Sequence, residues 1–292
     1  MRVTFWGVRG SIACPGRQHL RFGGNTSCVE VEAAGETVIF DAGTGLRPLG
    51  ASLERRRIRN VHLLLSHTHW DHTCGFPFFR PAHDKRSSIR IVAGHAAGRP
   101  GGVRGILASQ IAAPSFPLTL DEIASSLSFV DVAPGVSFAI ARKVEVKTAR
   151  LMHPDHATGY RLEHDGASVA YVTDTEHTPE RLDSSVLALI EGVDLLIYDC
   201  TYTDEEFDAR RGWGHSTWQE GVRLCRAANV KRLAIFHHDP DHDDTFMQRI
   251  AAEAKRTWSG AFVAREGMQI EIGSGASRAS ATSSSPRHRS PR

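Results

Sequence analysis

The chain has 292 residues, 41% of them hydrophobic and 23% charged, which is ordinary globular usage and excludes collagen-like, coiled-coil and wholly disordered readings. Its formal charge is +2, but Arg278, Arg287, Arg289 and Arg292 lie in an acid-free tail, and the rest carries 31 basic against 33 acidic residues, or −2. That balance argues against a basic nucleic-acid-binding body, and no stretch approaches the roughly 18 apolar residues of a membrane helix.

In chain order, residues 2–8, 28–32 and 37–40 read as strands separated by Gly-containing turns, an antiparallel meander opening the fold. A helix is expected over 46–57, a buried strand over 61–65 and a further strand over 89–93. The stretch to Pro117 is Gly/Pro-interrupted, with one short helix over 103–111, and residues 116–120 read as a packed cover. Alternation across 132–172, including 143–147, 157–162 and 168–172, predicts three or more strands of a second sheet. Then follow a helix over 179–191, a strand over 194–198, a helix over 216–228 with Ser216 or Thr217 as cap, a strand over 232–236 and a helix over 244–257. The expected division is a hydrolase domain over 1–272 and a disordered Ser/Arg/Pro-rich tail over 273–292. The start MRVTFWGVRG lacks the apolar core of a signal peptide, and the five cysteines form no C-x-x-C pair, so a reducing, cytoplasmic setting is expected.

Histidine is abundant, at 16 residues, and clusters beside aspartate. The densest case is Ser66-His67-Thr68-His69-Trp70-Asp71-His72, four candidate ligands in six residues after an apolar strand. Imidazole and carboxylate suit Zn²⁺ and neighbouring transition metals, and the alternation lets the four side chains split into two pairs facing two cations.

This H-x-H-x-D-H segment resembles the signature of the metallo-β-lactamase superfamily. The resemblance implies an α/β (α+β) fold, a four-layer αββα sandwich with the site where strand ends converge. It also implies further ligands downstream: His153 in Met152-His-Pro-Asp-His156, with His156 as competitor; a bridging Asp174 after Tyr171-Val-Thr; and His237 after Leu233-Ala-Ile-Phe, with His238 adjacent. One metal would then take His67, His69 and His153 and the other Asp71, His72 and His237, with Asp174 shared and a hydroxide bridging them. Asp41, in Phe40-Asp-Ala-Gly-Thr-Gly45, is similar to the family's early aspartate that supports the histidine loop. Cys74, beside the motif, reads as a buried thiol.

Gly212-Trp-Gly-His215-Ser-Thr217 resembles the H-S-T segment of the tRNase Z branch, in which the histidine assists proton transfer to the leaving group. His215 is accordingly expected to be catalytic beside Asp71. Trp6-Gly-Val-Arg-Gly-Ser11 and Gly23-Gly-Asn-Thr-Ser27 complete a similarity to phosphodiesterase-like members of that branch. They make Arg9, Ser11, Asn25 and Thr26 candidate phosphate contacts, though such turns are also commonly structural. The tRNA-processing enzymes carry a protruding basic arm, whereas residues 94–117 are short and poor in cations. The expected function is thus hydrolysis of small phosphodiesters, cyclic nucleotides among them, by a dinuclear centre of Zn²⁺, with Mn²⁺ or Fe as alternatives. The expected substrate is a small molecule rather than folded nucleic acid, and homodimers are common among similar enzymes. Lactone, thioester or lactam hydrolysis, tRNA 3′-end cleavage, and a non-catalytic metal-binding regulatory module stay open.

Overall fold

A computed structural model describes residues 1–123 and 125–273; the tail expected over 273–292 lies, apart from Gly273, outside them. The first sheet begins with β1 (Arg2–Gly7), β2 (Cys28–Ala33) and β3 (Glu36–Phe40), paired antiparallel as the opening meander predicts. After α1 (Leu46–Arg56) the chain enters β4 (Asn60–Leu65), parallel to β3, and a four-residue helix, α2 (Trp70–Thr73). Strand β5 (Ser88–Ala93), helix α3 (Gly102–Gln110) and strand β6 (Ser126–Asp131) complete this half, both strands parallel to β4.

The second half runs through β7 (Phe138–Ile140), β8 (Val144–Leu151), β9 (Ala157–His164), β10 (Ala167–Val172), α4 (Ser184–Ile190), β11 (Leu195–Asp199) and α5 (Asp204–Phe207). It closes with α6 (Trp218–Ala227), β12 (Leu233–Phe236), α7 (Asp244–Thr257), β13 (Ala261–Val263) and β14 (Gln269–Glu271). Among the described residues the strands form two seven-stranded sheets, ordered β14-β1-β2-β3-β4-β5-β6 and β13-β12-β11-β10-β9-β8-β7. Strands β10 to β13 are mutually parallel.

Three apolar layers hold the sandwich together. Between the sheets, Phe5, Val31, Phe40, Tyr160, Tyr171 and Phe236 are buried, with Phe40 and Tyr171 stacked at 4.7 Å and 6°. Outside the first sheet, Leu46, Leu49 and Leu53 of α1 and Val103 and Leu107 of α3 lie on inward faces set by helical spacing. Outside the second, Val186 and Leu189 of α4, Val222 and Leu224 of α6 and Met247, Ile250 and Ala254 of α7 do the same. The architecture is the expected αββα sandwich.

Several elements depart from the sequence reading. The helix expected over 179–191 is only α4, because Asp183 accepts hydrogen bonds from the Ser185 and Val186 amides and fixes the first turn there. Strand β6 was not expected, although Ser126-Leu-Ser-Phe129 alternates polar and apolar residues, and β13 and β14 are three residues each. Residues 116–120 are a packed cover only at their ends: Phe116 packs on the core and Leu120 is buried, but Pro117, Leu118 and Thr119 are exposed. Among the described residues no helix is long and apolar enough to cross a membrane.

Candidate metal centre

Parallel strands share a direction, so their C-terminal ends lie along one rim, and the sequence places a donor at nearly every one. Asp41 follows β3, His67 to His72 follow β4, His153 follows β8, Asp174 follows β10, Asp199 ends β11 and His237 follows β12. Asp41, Asp174 and His237 hold left-handed backbone, φ 59°, 55° and 61°. Such conformations cost about 1–3 kcal/mol each, and here they turn three side chains at the strand ends.

The inward atoms converge in two trios. Ligand-capable atoms of His67, His69 and His153 lie within 4.8 Å of one another, as do those of Asp71, His72 and His237. Nδ1 of His69 is 3.2 Å from Nε2 of His153, and Nε2 of His72 is 3.3 Å from Nε2 of His237. Asp174 stands between the trios, with Oδ1 4.0 Å from His67 Nε2 and 3.8 Å from His153 Nε2, and Oδ2 3.3 Å from His72 and 3.4 Å from His237.

The outer ring nitrogens are fixed by the surrounding chain. His67 Nδ1 meets the Ser66 hydroxyl at 3.1 Å, His153 Nδ1 donates to the Gly214 carbonyl at 2.8 Å, His72 Nδ1 donates to Asp41 Oδ2 at 2.7 Å and His237 Nδ1 meets the Thr201 hydroxyl at 3.0 Å. Asp41 is buried and also accepts from the Ser66 amide and hydroxyl and from Tyr171 Oη, a strut reaching across from the second sheet. Fixing Nδ1 in this way leaves Nε2 as the lone-pair donor. Among the described residues, the buried Nε2 of His67 meets no hydrogen-bond partner. An orphaned, inward-facing nitrogen amid converging imidazoles and carboxylates is what a divalent transition-metal cation satisfies, so these residues fit such ions.

Electrostatics agree with that donor set. Burial, reinforced by His72, holds the His67 imidazole well below its ordinary pKa, and burial likewise lowers His153. Burial works against the Asp174 carboxylate, yet His237, His72 and His67 keep its pKa well below the usual range. His215 behaves differently: burial opposes its charge, but Asp199, whose Oδ2 accepts from His215 Nδ1 at 3.0 Å, raises its pKa to about 9.

Ser11, Thr68, His69, Trp70, Asp71, Gln110, Asp174 and His215 line a cleft of about 500 Å³ over the trios. The Ser11 amide donates to Asp71 Oδ2 at 2.8 Å. Of the other candidate phosphate contacts, Arg9 is fully buried and donates to the carbonyls of Gly23, Asp239 and His242. Asn25 bonds Glu266 and Thr44, and buried Thr26 accepts from the Thr44 amide. These three tie loops together, away from the cleft. His238 turns aside to the Ala264 carbonyl, and His156 is exposed. Cys74 is exposed rather than a buried thiol.

Asp199 escaped the sequence reading. Its signal is the same as that of Asp174 and His237, a polar residue at the end of an apolar strand, but Asp131 shares it at the end of β6 and, among the described residues, only accepts from the Val103 amide. Close packing completes the site: a Cβ at Gly10 would overlap the His237 ring, and one at Gly214 would overlap His153.

Comparison with known proteins agrees with this geometry. A family model described as the beta-lactamase superfamily domain matches residues 36–238. Ribonuclease Z of Haloarcula marismortui is 23% identical over 325 aligned positions, covering 93% of this chain and 97% of the relative. Human tRNase Z, short form, superposes with a TM-score of 0.67 at 20% identity, covering 94% of this chain and all of that one. A diphosphatase from the PhnP family does so at 0.65 and 18% identity, over 93% and 98%.

Proposed function

The chain belongs to the beta-lactamase superfamily, and from that premise we propose a dinuclear phosphodiesterase that acts on small phosphodiesters, cyclic nucleotides among them. Metal-dependent hydrolysis is the activity that the family and the donor set support at the coarser level. The observation that carries the finer reading is His215, held by Asp199 and lining the cleft beside Asp174.

His67, His69 and His153 would hold one divalent cation and Asp71, His72 and His237 the other, with one Asp174 oxygen for each; zinc suits this mixture of imidazole and carboxylate. Such cations, when bound, polarise phosphoryl oxygens and render water nucleophilic near neutral pH. The Ser11 amide restrains the Asp71 carboxylate, and the Ser66, Thr201, Gly214 and Asp41 contacts restrain the rings, so the donors need little reorganisation. His215 keeps its Nδ1 proton on Asp199, and its other nitrogen delivers a proton to the departing alkoxide. General-acid assistance of this kind is worth about 10²–10⁴-fold.

The test is hydrolysis of bis(p-nitrophenyl) phosphate by protein reconstituted with Zn²⁺ or Mn²⁺, with Asp71→Ala as control. Metal-dependent turnover that the control lacks is the expected result. Two bound ions per chain without turnover would remove the phosphodiesterase reading and leave lactones or thioesters.

The relatives named ribonuclease Z favour a second reading, cleavage of precursor tRNA. Two features weigh against it: the segment after β5 folds as α3, with Val103, Leu107 and Ile111 in the core, and a body at −2 offers little attraction to a polyphosphate backbone. Endonucleolytic cleavage of a precursor tRNA by the purified protein would reinstate it.

A further inference from the structure

Trp70 sits between His69 and Asp71, lines the cleft, and is 78% exposed. Burying an indole contributes strongly to a core, and this one contributes nothing there. Among the described residues it stacks on no other ring and lies under no cation, whereas Trp213, also exposed, packs against the Arg210 guanidinium at 5.1 Å.

The Trp70 backbone is nevertheless fixed. Its carbonyl accepts from the Cys74 amide at 2.7 Å, the Thr73 hydroxyl donates to the His69 carbonyl at 3.1 Å, and α2 begins at this residue. An exposed aromatic on a rigid turn, flanked by two donor residues, presents a π-face at little cost in side-chain freedom. Gln110 lines the same cleft with its Nε2 anchored on the Thr68 carbonyl at 2.8 Å, so its amide oxygen is the group left to accept a hydrogen bond. Two further large apolar side chains next in sequence to site residues are also exposed: Ile12, after Ser11, and Met152, before His153, at 64% and 60%.

We propose that Trp70 is a stacking platform for a nucleobase carried by the phosphodiester, with Gln110 reading an amino or imino edge of that base. The cleft then selects nucleotide diesters over diesters with purely alkyl groups. This inference rests on the phosphodiesterase reading. Base–aromatic stacking is sequence-tolerant because every base has a π-face, so the selection is for the presence of a base rather than its identity.

The experiment compares thymidine 5′-(p-nitrophenyl phosphate) with p-nitrophenyl phosphodiesters of methanol and of base-free 1,2-dideoxyribose (through its 5′-oxygen), which share a leaving group; the base-free sugar diester should behave as the methyl diester does. Trp70→Ala should lower kcat/KM for the thymidine diester by about 5- to 100-fold while leaving the methyl diester within about twofold, and Trp70→Phe should restore most of the loss. Equal losses with and without the base, or none on any substrate, overturn the platform. If wild-type protein hydrolyses none of them, the phosphodiesterase reading fails on its own, and calorimetric binding of thymidine 5′-monophosphate decides the platform. A Kd raised at least about fivefold in Trp70→Ala and recovered in Trp70→Phe supports it; an unchanged Kd overturns it.

Discussion

The first sheet delivers His67, His69, Asp71 and His72 from a single turn after β4, whereas the second delivers His153, Asp174, Asp199 and His237 from four different strand ends. In the first half a short loop sets the geometry, so the donors keep their mutual spacing whatever the rest of the sandwich does. In the second half the geometry depends on register: Tyr171 pairs with Ile197 and Ile197 with Ala234, and that alignment brings Asp174, Asp199 and His237 to one rim. Slipping one strand by one residue would invert its side chains. One half of the centre is thus local, and the other is a property of the sheet.

The sharpest way to break this arrangement is at the seam. Asp174→Ala removes the carboxylate shared by both trios, and elemental analysis should find fewer than two ions per chain, with turnover at background. Retention of both ions with full activity would refute the shared-ligand scheme. His215→Ala comes next. It should keep its metal content and lose about 10²–10⁴-fold on substrates with alkoxide leaving groups, with a smaller loss for p-nitrophenolate, which needs no proton.

Asp199→Asn tests whether the second half acts through orientation as well as ligation. Removing its charge lowers the pKa of His215, because Asp199 contributes most to raising it, ahead of Asp174 and Asp71. A general acid is active while protonated, so the alkaline fall of activity should move to lower pH, with a loss of about 10–100-fold and unchanged metal content. An unshifted profile would sever Asp199 from the proton step. The smallest effect belongs to the strut between the halves: Tyr171→Phe deletes the hydroxyl that donates to Asp41 at 2.7 Å. It should cost about 1–3 kcal/mol in urea denaturation while the Ser66 amide and hydroxyl keep Asp41, and through it His72, in place.

The same contrast explains what was legible in the sequence. A cluster such as His67 to His72 is visible because its spacing is the geometry. His153, Asp174 and His237 became visible only through a resemblance, since a lone polar residue after an apolar strand does not say which other strand ends it will meet. Asp199 lacked even that help. Arg9 was misleading for a related reason: a cation in a Gly-rich turn looks like a phosphate contact, and only the folded chain brings the carbonyls of Gly23, Asp239 and His242 to its guanidinium. Element types were readable from β-branched alternation and helical spacing, whereas the start of α4 depended on which acidic residue caps it. Strand β6, with serines at alternate positions, owes its place to the parallel edge of β5.

The contact between Gly10 and the His237 ring bears on how such a protein could lose its activity over generations. Position 10 carries no metal-donor side chain, and its codon could drift to alanine without altering any of the seven proposed ligands. The added methyl would wedge against the imidazole and silence the centre. A descendant that retains every histidine and aspartate could therefore be inert, and an inventory of ligands would not reveal it; the glycine would.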